Sequence, residues 1–440
     1  MTKIGRLILS TLALLLLNTL SNSNAFSQDL VRYVWIPSWD VNIPSTTSNY
    51  GDMPLSEFRW NVGTHYSSFA VPMASNGSSI TWNNLLIDRR QQVNAAAHAA
   101  GKPIYLCLGG SGSDGWMTSA FSPANRANAI QTLLAARREY KYDGFDFDWE
   151  PFGRSDTAIF YPFVRELYAA LANEPTYFGT PERPAIVLTM SPAGNQWGLA
   201  LKPMEPYLKF VVLMAYDKMG TWTVVSYYDC AVTSGGVRVG SQEPATMERQ
   251  AGQTVGFDPK KIIVGLDVMG ALMSGVTAPM QTIPSGVTIN ADYKFDTFYR
   301  DVLMADPKPE IKYDAVAGAY WCAKGGNFYS FMGAPGHDLA IGKAFSFLRG
   351  KGYGGVALWN WSEAYLGFTK FTPSNYPVLD RDWAGSAFLK YAGVVVPPPP
   401  PPPPTDTSAC DTVYRVITIR DSLFFRLVPI ISGYDTVRVR

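Results

Sequence analysis

Four acids fall within one octapeptide, Asp143-Gly144-Phe145-Asp146-Phe147-Asp148-Trp149-Glu150. As a strand, this stretch alternates its side chains between two faces. Asp146, Asp148 and Glu150 share one face, and Phe145, Phe147 and Trp149 share the other. Like charges on an apolar-backed strand repel, and burial penalises each ionised form. At least one carboxyl in such a row keeps its proton near neutral pH, which is what a general acid requires. Glu150 is the expected acid, two residues and about 6.5 Å along the strand from Asp148. Asp143 has the opposite parity and is expected to cap or hydrogen-bond at the strand start. A Ca²⁺ loop also uses closely spaced acids, but it needs a turn glycine and polar residues between the ligands. Here Phe, Phe and Trp intervene, which suit a buried strand.

The surrounding chain must hold that strand. From about residue 31, strand and helix patterns alternate. Strands are predicted over Val31–Pro37, Tyr66–Val71, Pro103–Leu108, from Gly144, over Ala185–Met190, Phe210–Tyr216, Lys261–Leu266 and Gly355–Trp359. Helices are predicted near residues 85–100, 123–139, 157–172, 245–254 and 337–349. Such alternation favours a parallel sheet, and eight strands favour a (β/α)8 TIM barrel. In that fold the chemistry sits at the C-terminal strand ends, where Glu150 falls. A doubly wound sheet would carry a glycine-rich phosphate loop after its first strand, and Trp35-Ile36-Pro37-Ser38-Trp39 is unlike one.

The octapeptide resembles the D-x-x-D-x-D-x-E signature of glycoside hydrolase family 18, the chitinases and their relatives. Other landmarks follow in order. Leu106-Cys107-Leu108-Gly109-Gly110 resembles the S-x-G-G strand end, with Cys107 at the usual serine. Met214-Ala215-Tyr216-Asp217 resembles M-x-Y-D, and Gly354-Gly355-Val356-Ala357-Leu358-Trp359 resembles the last strand. The resemblance covers about residues 31–391. Two departures stand out. Asp267-Val268-Met269-Gly270 replaces a Tyr-Gly pair, and Gly270 to Glu310 is short for the α+β insertion of some members.

The resemblance implies a retaining, substrate-assisted glycoside hydrolase, in which the substrate's N-acetyl oxygen attacks the anomeric carbon. It implies that Glu150 is the acid and that Asp148 orients the acetamido group and stabilises the oxazolinium. Asp146 would hold or share a proton with Asp148. Tyr216 would hydrogen-bond the acetamido carbonyl, Asp217 would contact the sugar, Met214 would line the subsite, and Trp359 would form its floor. Trp39, Trp116, Trp197, Trp222 and Trp361 lie near strand ends, where a ring is either a sugar platform or packing. The expected activity is that of a secreted chitinase on β-1,4-linked N-acetylglucosamine polymers. The alternatives are an endo-β-N-acetylglucosaminidase cutting the chitobiose core of N-glycans, and a non-catalytic carbohydrate-binding relative. The last typically lacks the terminal Glu, which this chain keeps.

Composition narrows the partners. A net charge of +1 gives no reason to expect nucleic acid or acidic membranes. His65, His98 and His337 show no metal-ligand spacing, and Cys107, Cys230, Cys322 and Cys410 form no C-x-x-C pair. No metal and no cofactor are expected. Cys107 reads as a buried thiol, and a Cys230–Cys322 disulfide is conceivable. Residues 1–27 read as a signal peptide, with Lys3 and Arg6 before the apolar run Leu7–Leu17. Export follows, to the extracellular space or with retention in the periplasm or at the cell surface, with no membrane attachment after cleavage. The barrel is assigned to residues 28–391, as a monomer. A proline-rich linker over 392–404 contains eight consecutive prolines, Pro397 to Pro404, a stiff polyproline II spacer. Residues 405–440 read as a small β-rich appendage, too short to build a core easily on its own.

Overall fold

The structure is a computed structural model that describes residues 29–37, 41–42, 53–82, 84–178, 183–192, 196–220, 222–237, 245–366, 381–394, 413–414 and 429–430. The expected signal peptide, Trp39, the proline run and Cys410 lie outside these residues. By compactness the chain divides into Met1–Val395 and Val396–Arg440. In the second unit, Val413–Tyr414 pairs antiparallel with Pro429–Ile430.

Eight parallel strands close a barrel in the first unit. They are β1 (Val31–Pro37), β2 (His65–Val71), β3 (Ile104–Ser111), β4 (Gly144–Glu150), β5 (Ala185–Met190), β6 (Phe210–Leu213), β7 (Ile262–Asp267) and β13 (Gly355–Trp359). Each strand in that series pairs with the next, and β13 closes onto β1. Helices α1 (Asn84–Ala99), α2 (Asp114–Ala120), α3 (Arg126–Tyr140), α4 (Thr157–Ala170), α5 (Trp197–Leu201) and α6 (Met247–Gly252) return the chain between strands. The expected (β/α)8 barrel is therefore present.

The period-two alternation explains the two cores. Tyr33, Trp35, Tyr105, Val187, Phe210, Val212, Ile263 and Ala357 point inward and fill the barrel. The opposite parity packs under the helices. Phe147 and Trp149 meet Phe121 of the α2–α3 connection and Phe160 of α4, with ring centroids 5.5–5.8 Å apart. Burying each such ring is worth roughly 1.5–3 kcal/mol, with a smaller gain from edge-on geometry. That wall anchors the strand whose other face carries the acids. Asp143 accepts from the backbone N–H of Ile104 and of Phe178 and contacts His98 Nε2 at 2.8 Å, tying the start of β4 to its neighbours.

The segment after β7 departs from the sequence reading. It is not a short insertion ending near residue 310. It holds a five-stranded antiparallel sheet made of β8 (Gly270–Ser274), β9 (Ile289–Tyr293), β10 (Lys312–Asp314), β11 (Ala319–Lys324) and β12 (Asn327–Phe331), ordered β9-β8-β12-β11-β10. Helix α7 (Phe295–Phe298) lies within it, and α8 (Leu339–Lys351) and α9 (Trp383–Ala392) follow. Three of its strands lie beyond Glu310. Gly325 and Gly326, with φ of 57° and 78°, make the two-residue turn that joins β11 to β12.

No disulfide links Cys230 to Cys322. Both thiols are free and buried, as is Cys107. Cys230 Sγ donates to the Ala215 carbonyl, 3.6 Å away, and Cys322 is buried in the main hydrophobic core.

Candidate active site

Strand β4 brings Asp146, Asp148 and Glu150 to the barrel mouth. Asp146 is fully buried and saturated with donors. Its Oδ2 accepts from Tyr33 Oη (2.8 Å), Trp35 Nε1 (3.0 Å) and Ser67 Oγ (2.8 Å), and its Oδ1 from Thr189 Oγ1 (2.7 Å). These donors come from β1, β2 and β5, all at inward positions. Burial raises the Asp146 pKa, and the hydrogen bonds offset part of that rise.

Asp148 is also buried. Its carboxyl and that of Glu150 hydrogen-bond each other. Asp148 Oδ1 finds no protein donor. Burial pushes Asp148 well above the ordinary carboxylate range, with the charges of Glu150 and Asp146 adding to it. Burial raises Glu150 as well, opposed by its bond to Asp148 and by the charge of Lys218. Both shifts favour the protonated form, and two carboxyls in such contact titrate as a pair.

The end of β4 is clamped from the loop just before α2. Ser113 Oγ donates to the Asp148 carbonyl (3.0 Å) and accepts from the Glu150 backbone N–H (2.9 Å). Opposite Asp148 in the ladder is Gly109, with φ of 126°. A Cβ there would lie 1.8 Å from the Asp148 carbonyl oxygen, so only glycine fits.

A cavity of about 540 Å³ opens over these residues. Asp148, Glu150, Met214, Tyr216, Asp217 and Trp359 all line it, so the structure brings together every expected site residue except the more deeply set Asp146. Met214 continues the β6 ladder through its N–H to the Met190 carbonyl (2.9 Å). Burial and the carboxylates of Asp148 and Asp217 push the Tyr216 hydroxyl well above its usual pKa, so it remains a donor. Asp217 takes a left-handed backbone (φ 54°) and is exposed. Trp359 packs edge-on against Phe69 (4.6 Å) and Trp35 (6.1 Å) and presents itself to the cavity.

The other tryptophans divide. Trp197 is buried against Phe152, and Trp361 donates from Nε1 to Asp382 (2.6 Å) while packing on Phe58, so both are core residues. Trp116 is partly buried and lies edge-on to Phe121. Trp222 is 71% exposed on the loop after β6.

Sequence reasoning missed Ser113, the four donors around Asp146, and Lys218. The donors were signalled by parity. Tyr33, Trp35, Ser67 and Thr189 are aromatic or polar residues at inward-facing positions of their strands, and Thr189 is the one polar residue in an otherwise apolar β5. Ser113 and Lys218 lie in loops and carry no such mark.

Carboxylate oxygens of Asp217, Asp229 and Asp267 also come within 4.8 Å of one another. Protein groups answer this cluster. Asp229 accepts from the backbone N–H groups of Asp217 (2.9 Å), Lys218 (2.7 Å) and Met219 (3.2 Å), and Asp267 accepts from that of Met269 (2.5 Å).

Known proteins resemble this chain in sequence and fold. A probable endochitinase of Caenorhabditis elegans is 23% identical over 254 residues, 54% of this chain and 40% of that protein. The chain thus spans less than half the length of that relative. The crystal structure of an Ostrinia furnacalis Group IV chitinase with allosamidin superposes with a TM-score of 0.65 at 16% identity, covering 83% of this chain and all of that one. Human YKL-39, described as a pseudo-chitinase with retained chitooligosaccharide binding, superposes with a TM-score of 0.63 at 16% identity, covering 83% and 100% of the two chains. At such identity these structures establish the barrel. Residues 54–364, a span that contains the acid strand and the closing strand β13, match the sequence model of Glycosyl hydrolases family 18, and the chain belongs to that family.

Proposed function

We propose that the protein is a secreted chitinase that hydrolyses β-1,4-linked N-acetylglucosamine polymers with retention of configuration. The observation that carries this reading is the Asp148–Glu150 pair. It combines a shared proton with a carboxylate oxygen, Asp148 Oδ1, that has no protein donor at the cavity wall.

Glu150 protonates the departing glycosidic oxygen. Ordinary retaining glycosidases then use a second carboxylate as nucleophile. Asp146 is poorly suited to that task, because four donors hold its two oxygens. Attack by the substrate's own acetamido oxygen needs no such group. Asp148 accepts the acetamido N–H through its unpartnered oxygen and stabilises the oxazolinium as positive charge forms. Tyr216 donates to the acetamido carbonyl, and Trp359 supports the reacting sugar. Retention of Glu150 favours catalysis over a purely binding role.

Digestion of chitin oligomers beside an N-glycosylated protein, with product sizing, tests the substrate. Release of short N-acetylglucosamine oligomers is expected. Glycan release with intact chitin oligomers would instead assign an endo-β-N-acetylglucosaminidase. Binding of oligomers without any cleavage would assign a lectin-like role.

A further inference from the structure

Strand β2 runs out of register with β3 at the cavity wall. Ser68 pairs with Leu106, but the next pairing is Val71 with Leu108. β2 takes three steps while β3 takes two, so β2 carries one extra residue, a bulge. In a regular strand Phe69 and Ala70 would point to opposite faces. Here both line the cavity, together with Trp359. Phe69 meets the Trp359 ring edge-on, with centroids 4.6 Å apart.

A bulge takes backbone groups out of the ladder, and a buried carbonyl left without a donor is costly. Arg90 of α1 supplies donors at this bulge. Its Nη1 donates to the Ser68 carbonyl (3.4 Å) and to Ser68 Oγ (3.0 Å), and its Nη2 donates to the carbonyls of Phe69 (3.3 Å) and Ala70 (3.1 Å). One guanidinium thus gathers three consecutive carbonyls. Arg90 is 1% exposed, its Nε has no partner, and among the described residues it forms no ion pair. Burying a cation that only neutral acceptors hold contributes little to stability. What it secures is the path of the chain at the cavity wall.

We infer that Arg90 is a positioning residue: by holding the β2 bulge it sets Phe69 against Trp359 and so fixes the floor on which the reacting sugar rests. This rests on the reading of Trp359 as that floor. Arg90 does not itself line the cavity, so it acts only through the bulge. Lysine is no substitute. Its donors radiate from one point, whereas the planar fork of arginine spans the three carbonyls.

The test compares Arg90→Met, Arg90→Lys, Phe69→Ala and the double variant Arg90→Met/Phe69→Ala. Two readouts are taken below the unfolding range. One is the affinity for chitin oligomers by calorimetry. The other is the indole N–H resonance of Trp359 by NMR, assigned with Trp359→Phe. Arg90→Met and Phe69→Ala should each weaken binding about two- to tenfold, the loss of one ring–ring contact, and should shift the indole resonance. Arg90→Lys should fall between wild type and Arg90→Met. Both changes act on one contact, so the double variant should bind no more weakly than Phe69→Ala alone. Losses that simply multiply overturn the inference, as does an unmoved indole resonance in folded Arg90→Met. A role in stability alone would lower Tm and leave both readouts at their wild-type values. If Arg90→Met does not fold, Arg90→Lys with and without Phe69→Ala runs the same cycle. The indole readout needs no ligand. If the wild type binds no chitin oligomer, the proposed function fails, and the indole resonance decides on Arg90. If oligomers are bound and cleaved while the losses multiply, the role of Arg90 alone fails.

Discussion

Asp148 and Glu150, two residues apart on one strand, hydrogen-bond each other while Asp148 Oδ1 faces no protein donor. Half of the pair is therefore satisfied internally, and half is left for a ligand.

Glu150→Gln keeps the shape of the side chain and removes its proton. Turnover of chitin oligomers is expected to fall by at least about 10²-fold, the lower range for positioned acid catalysis. Oligomer binding, measured by calorimetry, should persist. Near-wild-type turnover by the folded variant would remove Glu150 from the mechanism.

Asp148→Asn should lower kcat more than it weakens binding, because the charge matters most when the oxazolinium forms. Tyr216→Phe should act in the same direction, more weakly. NMR of fresh products should show the β-anomer first, since two displacements retain configuration. An α-anomer as first product would indicate water attack. A trapped glycosyl ester on Asp146 or Asp148 would make a carboxylate the nucleophile.

The pH dependence follows from the raised carboxyls. Glu150 works in its protonated form, so activity should hold above the ordinary glutamate range and fall as pH rises through the folded-state pKa. Stability runs the same way. Asp148 binds its proton more tightly in the folded than in the unfolded chain. The stability it contributes is full below its unfolded pKa and is lost as pH rises through the folded one. Asp148→Asn should accordingly raise Tm at pH 7 while lowering turnover. A lower Tm at pH 7 than at pH 4, beyond the wild-type difference, would contradict this.

Gly109→Ala should be severely destabilising. The added methyl meets the Asp148 carbonyl oxygen at 1.8 Å, and the backbone sits at φ 126°, where L residues are strained. Thermal unfolding measures it. A variant as stable as wild type would show that β3 can shift away from β4.

Deleting residues 397–440 should leave a cooperatively unfolding protein with unchanged activity on soluble oligomers, because the eight prolines mark a boundary. Loss of cooperativity on calorimetry would show that the tail completes the core.

The sequence made the barrel legible wherever strands alternate cleanly. Val31–Pro37, Ala185–Met190 and Gly355–Trp359 match their expected bounds, because buried parallel strands are short apolar runs with sharp ends. The sixth strand ends at Leu213, three residues before the expected Tyr216, where the chain leaves the ladder to build the cavity wall. The insertion sheet was underestimated because β10 to β12 are short and partly polar, and only the Gly325-Gly326 turn marks their hairpin. At the site, the acids and Trp359 were legible from a local string of residues. Ser113 and Lys218 were not, since their roles arise from loop geometry that no periodicity encodes.

The hydrogen bond from Asp229 to Ser330 also bears on how the molecule can be re-engineered. Met219, Tyr227 and Tyr228 of the loop after β6 share a buried cluster with Ala271, Met273 and Phe328 of the insertion sheet. The sheet is thus a splint for the loop that presents Tyr216 and Asp217. Grafting this barrel's acid strand onto a scaffold without the sheet would transplant the three carboxyls and leave behind the loop that sets Tyr216 and Asp217 at the cavity wall. The two must be exchanged as one cassette.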